Sequence, residues 1–393
     1  MPRLVAALLG FAAWFAAGIA AAHDPSAYGG MFRSRNLGTT WLNADVGLFL
    51  NAVLAVAVDP TDPAHLLMGT DLGVLRSRNG GRSWSHEATG TIVGAVFGLA
   101  FLADGKAAIA GAPSGVFRFE DGRWTRADSP DDAAPSRSIA VGTQDGAIYL
   151  LGRKRLFRSE DRGRSFTQIT DSLATEAEVT AIAVVAGASQ LLAIVDGRLM
   201  MSRDGGRRWT ERTARLEDGP PGAPIEFIAP DPASSTRIWL ARADRLHVSD
   251  DVGETWRRFG RPLPESGTVI RGIAADASAT ILNVTSHRGM FRSEDGGDHW
   301  ALKEGNLPVH LESGPLFRDP SDPQTLYAVY SLLPYPEAWR VAIEGGNLLA
   351  RVDRVSLAGG LAFLLLLILS GALSVRWLNA RRMNAIPSRR PLS

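Results

Sequence analysis

The stretch Ser293–Trp300, SEDGGDHW, decides the fold, because the chain writes it six times in varied form. The other copies are SRNLGTTW (Ser34–Trp41), SRNGGRSW (Ser77–Trp84), SEDRGRSF (Ser159–Phe166), SRDGGRRW (Ser202–Trp209) and SDDVGETW (Ser249–Trp256). Successive copies start 43, 82, 43, 47 and 44 residues apart. The step of 82 is a double step, and a worn copy sits near its midpoint: Phe117–Trp124, FRFEDGRW, keeps Asp121, Gly122 and Trp124. Seven units of about 40–45 residues is the period of propeller blades.

The motif has a physical reading. The side chains of Asn36, Asn79, Asp161, Asp204, Asp251 and Asp295, with Asp121 in the worn copy, accept backbone N–H groups and close an Asx-type turn. The glycine two residues later (Gly38, Gly81, Gly163, Gly206, Gly253, Gly297) supplies a backbone angle that a Cβ resists. Trp41, Trp84, Trp124, Phe166, Trp209, Trp256 and Trp300 then place a large apolar surface where it packs between neighbouring units. A feature repeated in every unit is a hairpin staple rather than a catalytic centre.

The motif resembles the Asp-box, or BNR, repeat of sialidases, sortilin-type receptors and photosystem II assembly factors. The resemblance implies that the box is structural and lies on the face opposite the functional site.

Each unit divides into four short strands, A to D, with the box between C and D. In the second unit, Val53–Val58 is a continuous apolar run and Asp59-Pro60-Thr61-Asp62-Pro63 a turn, as a buried inner strand followed by an A–B turn requires. The first box, Gly29–Asn43, supplies only C and D, and the last repeat, Gly314–Ser331, only A and B. The two halves complete one blade, so the predicted fold is an all-β seven-bladed propeller. It closes by pairing strand C near Phe32 with strand B near Tyr327, which leaves no open sheet edge.

The runs Ala57–Trp84 and Leu316–Tyr330 look like the repeat of the photosystem II stability/assembly-factor family, and the likeness covers the whole body. It implies a non-catalytic factor that binds membrane-protein assembly intermediates. A C-terminal membrane span departs from that family and points to a general membrane or envelope complex.

The chain ends carry that span. Residues 1–22 read as a secretory signal with an Ala-rich cleavage site before His23, an uncleaved anchor being the alternative. Val355–Val375 holds 21 residues without a charge, enough to cross hydrocarbon. Arg376, Arg381, Arg382, Arg389 and Arg390 follow, which assigns the tail 376–393 to the cytoplasm. The expected order is signal, propeller over 23–331, linker 332–354, transmembrane helix 355–375 and basic tail. The propeller is expected on the periplasmic side of the cytoplasmic membrane, with one or more membrane-complex proteins as partners.

Other chemistries find little support. Zero cysteines exclude disulfides, thiolate catalysis and Cys–metal sites. A net charge of +1 gives no basis for a nucleic-acid partner. The seven histidines show no ligand spacing, and no metal or cofactor is called for. The enzyme alternative is a glycan-binding or glycoside-hydrolysing, sialidase-like propeller. Met31-Phe32-Arg33-Ser34 does not match the motif such enzymes place before the first box, and Tyr327 and Tyr330 have no obvious glutamate partner.

Strand alternation puts the boxes and A–B turns on one face, and the B–C turns and D-to-A links on the other. On that second face bases outnumber acids in the B–C turns. The expected partner-binding residues are Arg153, Arg155, Arg198, Arg242, Arg245, Arg271 and Arg288, around a concave cationic mouth. Glu226 and Arg271 fall at equivalent positions in adjacent blades, where the two could face the channel as a pair.

Overall fold

The computed structural model describes residues 29–344 apart from 143–145, 171–172, 175, 186–189 and 214–223, together with Ser370. The signal, the apolar run 355–375 and the basic tail therefore lie outside the described residues, and no described helix is long and apolar enough to cross a membrane.

Seven antiparallel sheets of four strands are present. Blade 1 is assembled from both ends of the body, in the order Leu42–Asn43, Gly30–Ser34, Leu326–Ser331, Glu312–Arg318. Gly30–Ser34 pairs with Leu326–Ser331 over five residues, with Phe32 opposite Ala328 and Arg33 opposite Tyr327. The closure is the one the half-units require, at the expected register to within one residue. Blades 2 to 7 follow in chain order.

Strand A of each blade is the inner one. The A strands Val53–Asp59, Gly98–Phe101, Ser138–Val141, Val179–Val184, Ile225–Pro230, Ile270–Ala275 and Glu312–Arg318 touch one another in sequence and close a ring. Val53–Asp59 is buried along its whole length, which is why it reads as an unbroken apolar run. Packing there is tight enough to exclude a side chain: a Cβ on Gly272 would lie 2.5 Å from the backbone nitrogen of Leu316 in the next A strand.

Five A strands carry a bulge at their start, at Leu54, Thr180, Glu226, Arg271 and Gly314-Pro315. A bulge re-aims the side chains around it. Glu226 and Arg271 thus are equivalent, but they are not a pair. Arg271 bonds Glu312 of blade 1 at 2.7 Å and the Ser313 carbonyl at 3.1 Å. Glu226 is exposed and has no ion pair among the described residues.

Beyond strand B of blade 1 a nine-residue helix, α1 (Tyr335–Ile343), forms in the linker, where the sequence reads as extended over Pro334–Pro336 and partly helical over Glu337–Arg354. Pro334 caps its start and Pro336 sits in its first turn, where a missing N–H costs nothing. Ala338, Trp339 and Ala342 are buried with Ala52, Leu54 and Phe97.

Candidate functional site

The boxes come first because they fix the faces. In all six full copies a serine is the hub: Ser34, Ser77, Ser159, Ser202, Ser249 and Ser293 are each about 1% exposed. The hydroxyl of Ser293 accepts the Gly297 N–H at 2.8 Å and donates to Asp295 Oδ1 at 2.9 Å, and that oxygen accepts the His299 N–H at 2.9 Å. The same three bonds recur around Ser159, Ser202 and Ser249. The glycine and the residue before it both have positive φ, as at Leu37 (49°) and Gly38 (78°). Sequence reading assigned the Asx side chain, the glycine and the aromatic, but missed the serine.

Asp121 is a correction. Blade 3 joins its strands Gly115–Glu120 and Arg123–Arg126 by a two-residue hairpin, with Asp121 at φ 50° and Gly122 at φ 79°. Both central residues are left-handed, as a type I′ turn demands. No serine hub exists there, since Phe119 stands where the serine would be, and Asp121 closes no box. Trp124 keeps its packing role, against Phe119 at 5.4 Å, and its Nε1 donates to Glu87 of blade 2 at 3.0 Å. Trp84 likewise reaches the preceding blade, donating to the Ala44 carbonyl at 2.9 Å, whereas Trp256 donates to Gly253 of its own box at 3.2 Å.

Arginines stitch the blades together on this side. The residue before the serine position in strand C donates to the carbonyl just before the box glycine of the next blade. Arg33 does so to Gly80, Arg118 to Arg162 (2.7 Å) and Arg292 to Leu37. Arg76 faces blade 3, which has no box, and lies over the Phe119 ring at 4.2 Å instead. Part of the chain's arginine content is thus inter-blade bonding.

On the box face an open concavity of about 520 Å³ is lined by Arg158, Glu160, Asp161 and Arg207 among others. Burial works against the charge on Asp161, but bonds from Ser165, Ser159 and the Arg164 N–H hold its carboxyl down at about 2. Asp295 is held at about 2 by the backbone and ring of His299. Such carboxylates stay ionised and are already occupied, which does not suit a general acid. Tyr327 and Tyr330 are buried in blade 1 and are core residues.

The opposite face carries the predicted partner-binding residues. Arg153 donates to the Ala134 carbonyl at 2.8 Å and Arg155 to the Ala174 carbonyl at 3.2 Å; neither has an ion pair among the described residues. Lys154 stands 3.9 Å from Glu178 and Arg198 3.5 Å from Glu211, all four well exposed. Arg245 lies 4.0 Å from Asp244, and Arg288 pairs with Glu265. Arg242 is half-buried at the end of its strand B. The basic B–C turns of blades 4 to 6 therefore form a continuous arc, whereas in blade 7 Arg288 is paired with Glu265.

The expectation of an open concave mouth is overturned by α1. Its Tyr335 and Trp339 each meet Phe97 edge-on at 5.1 Å. Arg137 lies over Trp339 and Arg271 over Tyr335, both at 5.7 Å, and the Tyr335 N–H points to Glu312 at 3.3 Å. With Leu54 beneath it, α1 touches the starts of A strands in blades 1, 2, 3, 4 and 7. A helix about 14 Å long reaches so many blades only by lying across the central axis. The channel mouth on the cationic face is covered by the chain itself, and Arg271 is spent on that cover.

No protein-family model matches this sequence, and no curated protein does. Solved structures share the fold. YCF48 bound to D1 peptide aligns with TM-score 0.53 at 15% identity, over 72% of this chain and 93% of that one. YCF48 from Cyanidioschyzon merolae gives 0.56 at 16% identity, over 72% and 97%. A GH74 xyloglucanase from Xanthomonas campestris gives 0.52 at 18% identity, over 65% of this chain and 48% of the enzyme, so this chain spans about half its length. At such identities the likeness is one of fold. This chain is a seven-bladed propeller, of an architecture that holds a D1 peptide in one of these proteins and belongs to a xyloglucanase in another.

Proposed function

We propose that this chain is a non-catalytic propeller, exported and anchored by its C-terminal apolar run. It captures an acidic, extended segment of a membrane-complex subunit on the extracytoplasmic side of the cytoplasmic membrane. The observation that carries the reading is the arc of blades 4 and 5, where Arg153, Lys154, Arg155 and Arg198 occupy adjacent B–C turns with weak or no carboxylate compensation among the described residues. Guanidinium groups bind carboxylates in bidentate fashion, and a partly compensated cationic arc raises the encounter rate with acidic surfaces. The covered mouth favours this surface over a channel site. The fold shared with a peptide-bound propeller is consistent with it. Assembly or stabilisation of an envelope complex is the role that fits such capture.

The test is co-purification from detergent-solubilised membranes, read by mass spectrometry, with the native chain and with Lys154→Glu, Arg155→Glu and Arg198→Glu combined. The native chain should retain a membrane-complex subunit, and the triple variant should lose it at unchanged melting temperature. Equal retention by both would overturn the assigned surface. Release of the bound material by a neutral oligosaccharide would favour the glycan-binding reading.

A further inference from the structure

The face opposite the boxes is divided in chemistry along the line of its blades. Val46, Leu72, Val93, Val309 and Leu332 are large apolar side chains left exposed. Val46 lies between blades 1 and 2, Leu72 in the B–C turn of blade 2, and Val93 between blades 2 and 3; Val309 precedes blade 1, and Leu332 follows its strand B. All five are on this face, within the arc from the blade 7–1 link to the blade 2–3 link. Of the other exposed large apolar residues, Phe49 shares the Val46 loop, and Leu42 and Leu302 are on outer strands. Among the described residues no box or A–B turn carries one.

The tips are held in place. The Asn51 carbonyl accepts the Leu332 N–H at 2.8 Å, and its side chain reaches Asp71, beside Leu72, at 3.4 Å. The Val93 N–H donates to Ser114 at 3.0 Å. Single exposed aliphatic residues are ordinary. Five on neighbouring loops of one half-face, with the cations on the other half, make a patch that marks a surface to be covered.

Where the chain goes says what covers it. After Leu332 it crosses this same face as α1, and residues 344–354 alone separate it from the uncharged run Val355–Val375. Eleven residues reach about 40 Å at most. If that run spans the bilayer, as proposed above, this face is confined beside the membrane at high effective concentration. Aliphatic loop tips suit the boundary between headgroups and acyl chains. A protein hot spot would instead be expected to centre on Trp, Tyr or Arg.

We infer that the arc of blades 1 and 2 rests on the lipid bilayer. Val46, Leu72, Val93, Val309 and Leu332 enter the headgroup–acyl boundary, and the propeller tilts so that the cationic arc of blades 4 to 6 stands off the surface. A wedge between that arc and the membrane is where a segment emerging from a membrane protein would be met. Asp71 and Glu304 flank the apolar arc, so insertion of apolar tips, not attraction to anionic lipid, drives the contact, and phosphatidylcholine alone should suffice.

The absence of cysteine gives single-cysteine labels without background. The full chain, as Leu72→Cys or Val93→Cys, with Lys154→Cys and Arg82→Cys as controls on the cationic arc and box face, is labelled with a solvatochromic dye. It is then reconstituted in phosphatidylcholine vesicles containing nitroxide-labelled lipid. The dye at 72 and 93 should shift to the blue and lose intensity to the nitroxide, while the dye at 154 and 82 should do neither. Tips as wet and unquenched as position 82 would overturn the inference, as would a blue shift that persists in detergent, which would mean a second copy covers the patch. Alkaline carbonate extraction of the same vesicles separates this from the anchor. Chains that resist extraction with unquenched tips sink the docking alone. Chains extracted but quenched beforehand sink the anchor alone, and chains extracted and unquenched sink both.

Discussion

Two carboxylates set the faces of this propeller against each other. Asp295, in a box, is held at about 2, first by the N–H and ring of His299 and then by Ser293. Asp45, where the chain leaves blade 1 on the other face, is pushed up to about 6 because burial outweighs the bonds from the Met31 N–H and its own loop. The box face meets its polar groups with local bonds, eight residues at a time. The opposite face is made of turns of unequal length, a covering helix, bare apolar tips and partly compensated cations. A surface that satisfies itself has little left to offer a partner, whereas an unfinished one does.

The largest expected effect comes from opening the ring. Deleting residues 29–43 removes two strands of blade 1, exposes the edge of Leu326–Ser331 and takes away the buried Trp41. The whole domain should lose its cooperative melting transition rather than fray at one blade. A truncated chain melting where the native one does would break the closure argument.

Next is the seam between blades 7 and 1. Buried Arg292 donates to the Leu37 carbonyl and lies 3.2 Å from both Asn283 Oδ1 and Thr39 Oγ1. Arg292→Ala removes the donor facing Asn283 Oδ1 and Thr39 Oγ1, leaves the Leu37 carbonyl with Asn283 Nδ2 at 3.1 Å, and should cost about 2–4 kcal/mol in urea unfolding. Arg198→Ala on the opposite face, with one exposed ion pair at 3.5 Å, should cost about 0.5 kcal/mol or less. Equal losses would remove the contrast between the faces.

These arginines show what was legible. Serine, Asx, glycine and tryptophan recur in register because one loop must solve the same bonding problem in every blade, so the fold could be read from the repeat. The arginine before the serine position recurs too, at 33, 76, 118, 158 and 292, but its acceptor lies in the next blade and no local spacing reports it. Asp121 was misplaced because a two-residue hairpin also draws on Asp and Gly, here adjacent at 121 and 122 rather than two residues apart as in a box. The helical part of the linker was legible from Glu337 onward, but the start of α1 at Tyr335 was hidden by its prolines, and nine residues owe their helicity to Phe97 and Leu54 beneath them rather than to propensity. Strand alternation placed the B–C turn arginines on one face, yet which acids the arginines of that face meet depended on other blades, as Arg271 and Glu312 show.

Asp45 gives a smaller effect with a definite sign. Its folded pKa is raised from 3.8 to about 6, so the folded state binds the proton more tightly. Its contribution is fully present below about pH 4 and is lost as pH rises through 6. Asp45→Asn should leave stability nearly unchanged at pH 4, raise it by about 2 kcal/mol at pH 7 and flatten the profile between. Thermal melts from pH 4 to 7 read this directly. An unchanged slope would mean that the Asp45 carboxyl titrates as freely as a surface acid, and the contrast with the boxes would fail.

The smallest effect on folding belongs to the reversal of Lys154, Arg155 and Arg198, and its smallness is the point. Among the described residues Lys154 and Arg198 make long, exposed ion pairs, and Arg155 a bond to the Ala174 carbonyl. Their replacement by glutamate should shift stability by about 1 kcal/mol or less. The same reversal at Arg33, Arg118 and Arg292 would break three inter-blade bonds and unfold the ring. The charges are the same in kind and number, and only the face differs. If the first set proves as damaging as the second, the cationic arc is structural and the capture surface must lie elsewhere. If the first set leaves the melting curve in place while abolishing retention of a membrane partner, the arc is held for binding.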